Sequence, residues 1–282
     1  MAYQIELQQK DSKGKVLIEE SIFSAFDNYL QLGSTTPASK VAIAISKLAP
    51  EPSGDQKVLD DGFLFELWKS IIAVAEQIPY DHPALDKLVN VMKELILLPD
   101  TEITVWDSRL WTDLPVLGAV FREYLNGPKQ STDQEEQAKI DQAWVRFHAF
   151  SAKLMGAGVV HYINQPIWML REALEEEMNP PKSSALDRDL ITAAMYIEYS
   201  GPILVEALAA NPDPELSDEL RRMLKGGSLF QGGSGLRLDR WLFWMKRFRE
   251  EAEKTRTKEA SKIALRAARL IEVLYEKRLK AN

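Results

Sequence analysis

Apolar residues recur every three or four positions along almost the whole chain, and no convincing run alternates apolar and polar residues strictly. This spacing is the period of an amphipathic α-helix, whereas a half-buried strand alternates at every second residue. The sequence therefore predicts an all-α protein, a compact and irregular domain of about nine or ten helices with no sheet of consequence. We find no internal repeat of fixed period, which disfavours an α-solenoid.

Segments rich in Pro, Gly, Asn, Ser and Asp separate the predicted helices, because these residues stop a helix and often cap the next one. They occupy residues 49–55, 98–103, 126–133, 179–187 and 211–218, followed by a glycine-rich loop at residues 225–235.

Two helices show an apolar stripe on one face. Residues 58–78 carry the stripe of a core-facing helix, formed by Leu64, Leu67, Trp68, Ile71 and Val74. The last helix, from Ala252 onwards, carries a short seam at spacings of three and four, formed by Ala260, Ile263, Ala267, Leu270 and Leu274. Docking of this seam on the body of the protein is favoured over a dimer zipper, although a homodimer stays open.

The length of 282 residues, 45% of them apolar, admits one large domain or two small ones. We expect residues 1–16 to form a polar N-terminal segment whose order the sequence leaves open. Residues 17–282 are expected to form a single helical domain, with a basic C-terminal helix at about residues 252–280.

The chain contains no cysteine, which excludes disulfides, zinc-thiolate sites and thiol catalysis. The N-terminus is polar, and the longest apolar runs are far shorter than the roughly 18 residues that a membrane span needs. We therefore expect a soluble, cytoplasmic protein without a signal peptide or a membrane span.

The net charge of −7 is unevenly distributed, since residues 237–282 hold fourteen Lys and Arg against seven Asp and Glu. A cationic arm could bind nucleic acid, anionic lipid or an acidic partner. Packing of the basic tail on the acidic body of the same protein is favoured, and nucleic acid is not a favoured partner.

Three blocks of the sequence together carry a family resemblance. They are residues 110–127 (LWTDLPVLGAVFREYLNG), residues 144–158 with 167–176, and residues 239–248 (DRWLFWMKRF). These blocks resemble a family of fungal (ascomycete) proteins that is described only as a domain of unknown function. The resemblance spans about residues 105–250 and implies an intracellular helical protein of a filamentous fungus. It implies no catalytic residue.

We find no metal-binding or cofactor-binding motif in the sequence. Asp60 and Asp61 do not begin the DDxxD pattern of a metal-dependent terpene cyclase, and no partner motif follows downstream. No two of His82, His148 and His161 have the i, i+3 or i, i+4 spacing of a helical metal site. We expect neither a metal nor a cofactor.

Two residues are candidates for acid–base catalysis. His148 borders the apolar face that holds Trp144 and Ser151, and a partly buried imidazole can move a proton. Glu198 follows the apolar stripe of residues 190–195, and a carboxylate on a buried face must be paired, hydrogen-bonded or protonated. The alternatives are a structural histidine and a buried ion pair of Glu198 with an arginine such as Arg122, Arg146 or Arg240.

The glycine-rich loop precedes an aromatic and basic helix. Its backbone could cradle a phosphate, but it matches no nucleotide-binding motif, and tight turns explain its glycines equally well. Packing is the first interpretation of the tryptophans, and the walls of an apolar pocket are the second. The candidate ligand-binding residues are Arg122, Arg240, Trp106, Trp111, Trp241 and Trp244.

The sequence thus favours a helical binding or scaffold protein whose partner is a small hydrophobic ligand or another protein. The alternative is a metal-independent acid–base enzyme, of the isomerase or cyclase type, that acts on a hydrophobic small molecule in fungal secondary metabolism. In that alternative His148 or Glu198 would transfer protons and Arg122 or Arg240 would hold an anionic group.

Overall fold

A computed structural model describes residues 4–11, 14–52, 57–177, 180–181 and 183–280. The breaker segments at residues 49–55 and 179–187 fall partly outside these ranges. The chain divides into two compact units, Met1–Asp133 and Gln134–Asn282, and each is described by itself. The single domain expected over residues 17–282 stays a prediction.

The described residues form eleven α-helices and one small antiparallel sheet of two strands, so the all-α prediction is confirmed. The first unit contains α1 (Glu20–Asp27), α2 (Ala38–Ser46), α3 (Gly62–Ala75), α4 (Pro83–Ile96), β1 (Thr104–Val105), β2 (Ser108–Arg109) and α5 (Leu117–Tyr124). The second contains α6 (Gln134–Gly156), α7 (Asn164–Leu174), α8 (Ser184–Ala210), α9 (Asp218–Met223), α10 (Leu238–Ala252) and α11 (Lys258–Arg278).

Helix α3 packs against α1 and α5 in the first unit. Its predicted stripe of Leu64, Leu67, Trp68, Ile71 and Val74 is buried, which confirms the core-facing helix. The Trp68 indole Nε1 donates a hydrogen bond of 2.8 Å to the carbonyl of Pro115, just before α5. Burial of the ring and the paired N–H together hold this loop against α3.

Part of the N-terminal segment packs on the first unit. Ile5 and Leu7 are buried, and the Gln31 side chain donates to the carbonyl of Ile5 at 2.8 Å. Gln77 exchanges two hydrogen bonds with the backbone of Gln8, at 2.6 and 3.1 Å. Residues 4–11 are therefore held by apolar burial and side-chain hydrogen bonds, while residues 1–3 and 12–13 lie outside the described residues.

In the second unit, α6 and α8 run parallel and pack along most of their length. Three hydrogen-bonded pairs join the two helices: Asp141 with Arg188 at 3.0 Å, His148 with Tyr196 at 2.8 Å, and the Ala152 carbonyl with the Ser200 hydroxyl at 2.8 Å. The two residues of each pair are 47 or 48 positions apart, and this nearly constant separation shows that the helices are parallel. Because α11 and α7 also pack on α8, the helix is buried on several faces.

Close packing of α6 and α8 depends on Gly156, since a Cβ atom there would lie 1.9 Å from the carbonyl oxygen of Tyr199. Alanine usually stabilises a helix relative to glycine, but here the backbone of α8 leaves no room for a methyl group. We expect Gly156→Ala to lower the free energy of unfolding by about 2 kcal/mol, measured by urea denaturation. Gly33→Ala is the control, because no heavy atom of the described residues, its two chain neighbours aside, lies within 4 Å of its Cβ position. Equal stability of the two variants would contradict the close approach.

Helix α11 uses its apolar seam within the second unit. Ala260, Ile263 and Ala267 are buried, and α11 packs on α8 and α10. Docking of the seam on the body of the protein therefore agrees with the structure, while a homodimer stays a prediction. Across the described ranges no helix combines the length and the apolarity that crossing a bilayer requires.

Candidate functional site

The strongest concentration of buried polar groups surrounds Arg240, near the start of α10. Its guanidinium is fully buried and forms a bidentate ion pair with the carboxylate of Glu175. Nε donates to Oε1 at 2.6 Å and Nη2 donates to Oε2 at 3.0 Å. The same guanidinium donates to the carbonyls of Leu224, Gly235 and Lys225 at 2.7, 3.0 and 3.2 Å. Arg240 thus holds both ends of the glycine loop (residues 225–235).

Glu175, the C-cap residue of α7, is also fully buried, and both oxygens of its carboxylate accept hydrogen bonds. Besides Arg240, its carboxylate accepts from the Trp244 indole Nε1 at 2.6 Å and from the Gly227 amide at 2.8 Å. A buried carboxylate needs this many donors to offset its lost hydration. We call Glu175, Arg240 and Trp244 the clasp.

The glycine loop passes so close to the clasp that one of its glycines has no room for a side chain. A Cβ atom on Gly227 would lie 2.5 Å from the carbonyl oxygen of Glu175. The neighbouring amides of Ser228 and Leu229 donate to the Glu176 carboxylate at 3.1 Å and to the Glu175 carbonyl at 2.8 Å. The amide of Ser228 lowers the pKa of Glu176. The chain's own acceptors therefore occupy the amides that a phosphate would need.

The structure places the ligand-binding candidates of α10 in the protein interior. Trp241 and Trp244 are fully buried, and the Trp241 indole reaches the carbonyl of Ile271 at 3.4 Å. Arg240 is buried beside them, so all three side chains fill the core of the second unit. This placement agrees with the packing interpretation.

The other three candidates belong to the first unit and lie in different environments. Trp111 is buried, and Arg122 is exposed with a long hydrogen bond of 3.4 Å to the carbonyl of Gly118. Trp106 is 54% exposed at the turn between β1 and β2, where Trp106 and Asp107 both have positive φ, +51° and +60°. Its indole donates to Asp61 Oδ2 at 2.9 Å. The three candidates thus lie in different settings, since Trp111 is buried while Arg122 and Trp106 are exposed.

Glu198 does not occupy the buried position that its apolar stripe suggested. Its side chain is 26% exposed and forms an ion pair with Arg266 of α11, not with Arg122, Arg146 or Arg240. The suggested partner was wrong because α8 packs on α11 as well as on α6, so its apolar residues do not define a single inner face. A fully buried ion pair of this unit joins Glu175 and Arg240 instead.

His148 is fully buried in a cluster of polar groups between α6, α7 and α8. Its Nδ1 lies 2.8 Å from the Tyr196 hydroxyl, and the Ser151 hydroxyl donates to Gln165 Oε1 at 2.7 Å. The hydroxyls of Tyr196 and Ser151 also interact. Within the described ranges, His148 Nε2 and Gln165 Nε2 have no hydrogen-bond partner. Burial lowers the pKa of His148 to about 3, so the imidazole is neutral at physiological pH.

The two acid–base candidates do not form one site. Tyr196, which contacts His148, and Glu198 are two residues apart on α8, and their side chains therefore leave the helix about 200° apart. His148 is inaccessible and neutral, while Glu198 is occupied by Arg266. His148 and Glu198 are therefore not arranged as the acid and base of one catalytic pair. Among the described residues no group of three or more His, Asp or Glu could hold a metal ion.

An apolar groove lies on the surface beside the clasp, and its volume is about 220 Å³. Helices α7, α8 and α9 and the end of the glycine loop form its walls. The aliphatic side chains of the lining are Ile163, Ile167, Ala207, Leu216, Leu220, Leu224 and Leu236. Pro214 and Leu216 are shared with a neighbouring, more polar cleft of about 610 Å³ that Arg221 and Arg237 also line. Both arginines are paired with aspartates, Arg221 with Asp218 and Arg237 with Asp213.

Sequence reasoning missed Glu175 and the groove. Glu175 is the first of three consecutive glutamates at the end of α7, a pattern typical of a solvated helix end. The only available signal was Leu174 directly before it, in the block that carries the family resemblance. The groove has no signal in the helical period, because its walls come from four separate segments.

A family model described as Protein of unknown function (DUF3632) matches residues 68–248. The matched region contains the clasp, the buried His148 cluster and the whole groove lining. No curated protein and no solved structure matches the sequence.

Proposed function

We infer that this chain, which belongs to the DUF3632 family of proteins of unknown function, is a helical binding protein that takes up an apolar group of a partner in its groove. The observation that carries this proposal is the groove itself, about 220 Å³ of space lined mainly by aliphatic side chains at the surface. Exposed apolar surface of this kind favours binding, since water is released when a partner covers it.

The groove wall is held in place by hydrogen bonds, which limits the ordering cost of binding. Arg240 of the clasp fixes the carbonyl of Leu224, and the Gly235 amide donates to that same carbonyl at 3.0 Å. At the end of α9, the carbonyl of Met223 accepts from the Trp168 indole at 3.3 Å and from Arg171 at 3.4 Å. The clasp therefore supports binding indirectly, by positioning Leu224 and Gly235 in the groove wall.

Replacing Ala207 with tryptophan fills the groove from a half-exposed position on α8. We expect the native protein to bind the neutral apolar dye Nile red saturably, and Ala207→Trp to weaken this binding at least about tenfold, which is about 1.4 kcal/mol. Fluorescence titration measures both affinities.

Leu265→Trp is the matched control, because Leu265 is an exposed apolar residue of α11 that does not line the groove. The control should bind the dye as the native protein does. Dye binding that Ala207→Trp leaves unchanged would show that the groove is not the binding site.

A further inference from the structure

We propose that the natural occupant of the groove is an amphipathic helix of a partner protein, with aliphatic anchors on one face and lysines or arginines beside them. This inference rests on the proposed function of the groove. Three observations carry it: the length of the apolar surface, the small volume of the groove, and the charge of one rim.

The apolar surface extends beyond the groove at both sides. Among the described residues of the second unit, the exposed large hydrophobics are Ile203, Met223 and Leu265, and the first two flank the groove. Ile203 is one turn before Ala207 on α8, and Met223 is three residues after Leu220 on α9. Ile203 and Ala207 are one turn of α8 apart, about 6 Å, and Asn211, the C-cap residue of α8, continues the groove wall. Such a strip matches the i, i+3/i+4 and i+7 anchors of a helix laid into a groove.

The size of the groove favours side chains of a protein over a whole small molecule. Its volume of about 220 Å³ is below the roughly 300–1,000 Å³ of pockets that enclose drug-sized ligands. An interface needs only a few anchor residues in such depressions, because a small number of buried side chains supply most of the binding energy.

One rim of the groove is acidic. Residues 211–220 contain no Lys or Arg and four carboxylates, at Asp213, Glu215, Asp218 and Glu219. Asp213 and Asp218 are ion-paired with Arg237 and Arg221. Glu215 and Glu219 are exposed, and neither forms an ion pair with any described residue.

These two free carboxylates give the rim a negative potential towards a bound segment. Arg221, which pairs with Asp218, and Arg222 lie in the last turn of α9, and Lys225 follows the helix. Cationic side chains on the partner would meet the free carboxylates, which speeds association and selects the partner. An acidic segment, a nucleic acid or an anionic lipid surface would be repelled at the same place.

Synthetic helical peptides can test the occupant on the full-length protein. The probe has leucines at i, i+3, i+4 and i+7 spacing and lysines elsewhere, and its two controls carry glutamate for lysine or the same composition scrambled. We expect the lysine peptide to bind at least about tenfold more tightly than either control, with an affinity that falls as salt is added. Fluorescence anisotropy of labelled peptides measures the three affinities.

Two sets of variants separate the apolar and the charged contributions. Ala207→Trp should abolish binding of the lysine peptide. The double variant Glu215→Gln with Glu219→Gln should weaken the lysine peptide by about tenfold and leave Nile red binding unchanged, because a neutral dye does not depend on rim charge.

Four results would overturn the proposal. Nile red bound in the groove without preference for the lysine peptide would refute the basic helix and leave the proposed function standing, whereas failure of both probes would refute the proposed function itself. Lysine-peptide binding that survives Ala207→Trp would reveal non-specific attraction. Phosphatidylserine vesicles that bind the native protein but not Ala207→Trp would assign the groove to a lipid surface.

Discussion

Replacing Arg240 with methionine is expected to lower the free energy of unfolding by about 3–5 kcal/mol, the usual loss when one partner of a buried ion pair is removed. The substitution leaves the Glu175 carboxylate buried without its main countercharge. It also removes the guanidinium donors to the carbonyls of Leu224 and Gly235, two buried residues, and leaves the Leu224 carbonyl with the Gly235 amide alone. Urea denaturation followed by circular dichroism measures the loss.

The double variant Glu175→Gln with Arg240→Met should recover part of that stability, because no unpaired charge stays buried. Arg266→Met is the control for an ion pair at the surface. It removes the partner of Glu198, whose side chain is partly exposed, and should cost less than about 1 kcal/mol. Equal losses for Arg240→Met and Arg266→Met would mean that the clasp does not hold the glycine loop.

The clasp variant also tests how the groove is supported. If Arg240 fixes Leu224 in the groove wall, Arg240→Met should weaken Nile red binding under conditions where the variant is still folded. Ala207→Trp blocks the same groove without touching the clasp. Comparing the two separates the space that receives a ligand from the hydrogen bonds that keep that space open.

The helical architecture was accessible from the sequence because the helical period is a local property. The stripe of α3 is buried as its spacing predicts, and so are Ala260, Ile263 and Ala267 of the α11 seam, while Leu270 and Leu274 are half-buried. The packing role of Trp241 and Trp244 was also foreseen, since two indoles in one helix bury too much apolar area to be left in water.

Long-range pairing was not accessible, and the two glutamates show why. Glu198 looked buried because apolar residues precede it, yet α8 packs on α6, α7 and α11, so an apolar neighbour in sequence says little about the environment. Glu175 looked solvated because two more glutamates follow it, yet Arg240 and Trp244 reach it from 65 and 69 residues away. A single sequence contains no signal for such separations.

The turns of the first unit were also beyond sequence reasoning. A tryptophan with positive φ at the turn of a hairpin is unusual, because asparagine and glycine adopt this conformation more easily. Trp106 is held there by its hydrogen bond to Asp61 and by edge contact with Phe65, whose ring centre lies 6.0 Å away. Tertiary contacts therefore override the local preference, and the short sheet forms in a chain with no strand pattern.

Acid is expected to destabilise the protein through His148. Its pKa falls from an ordinary 6.5 to about 3 in the folded state, so below pH 6.5 the unfolded chain binds a proton that the folded chain does not. Stability from this group is therefore full above pH 6.5 and is lost as the pH falls towards 3. Each pH unit in that window costs about 1.4 kcal/mol, or about 3 kcal/mol between pH 6.5 and pH 4.

The variant His148→Gln isolates this loss, because glutamine can still meet the Tyr196 hydroxyl but does not titrate. Between pH 7 and pH 4 its free energy of unfolding should fall by about 3 kcal/mol less than that of the native protein. Urea denaturation at the two pH values measures both, and His161→Gln, which removes an exposed imidazole, should behave like the native protein.

Glu76 acts in the opposite direction, which makes the comparison between variants necessary. Burial raises its pKa from 4.5 to about 7, so its contribution to stability is present below pH 4.5 and is lost as the pH rises through 7. This contribution is common to the native protein and both histidine variants, and it cancels in their difference. If His148→Gln lost as much stability in acid as the native protein, His148 would carry a proton in the folded state near neutral pH. The imidazole could then donate a proton near neutral pH, and the hypothesis of an acid–base enzyme would again have a catalytic acid at His148.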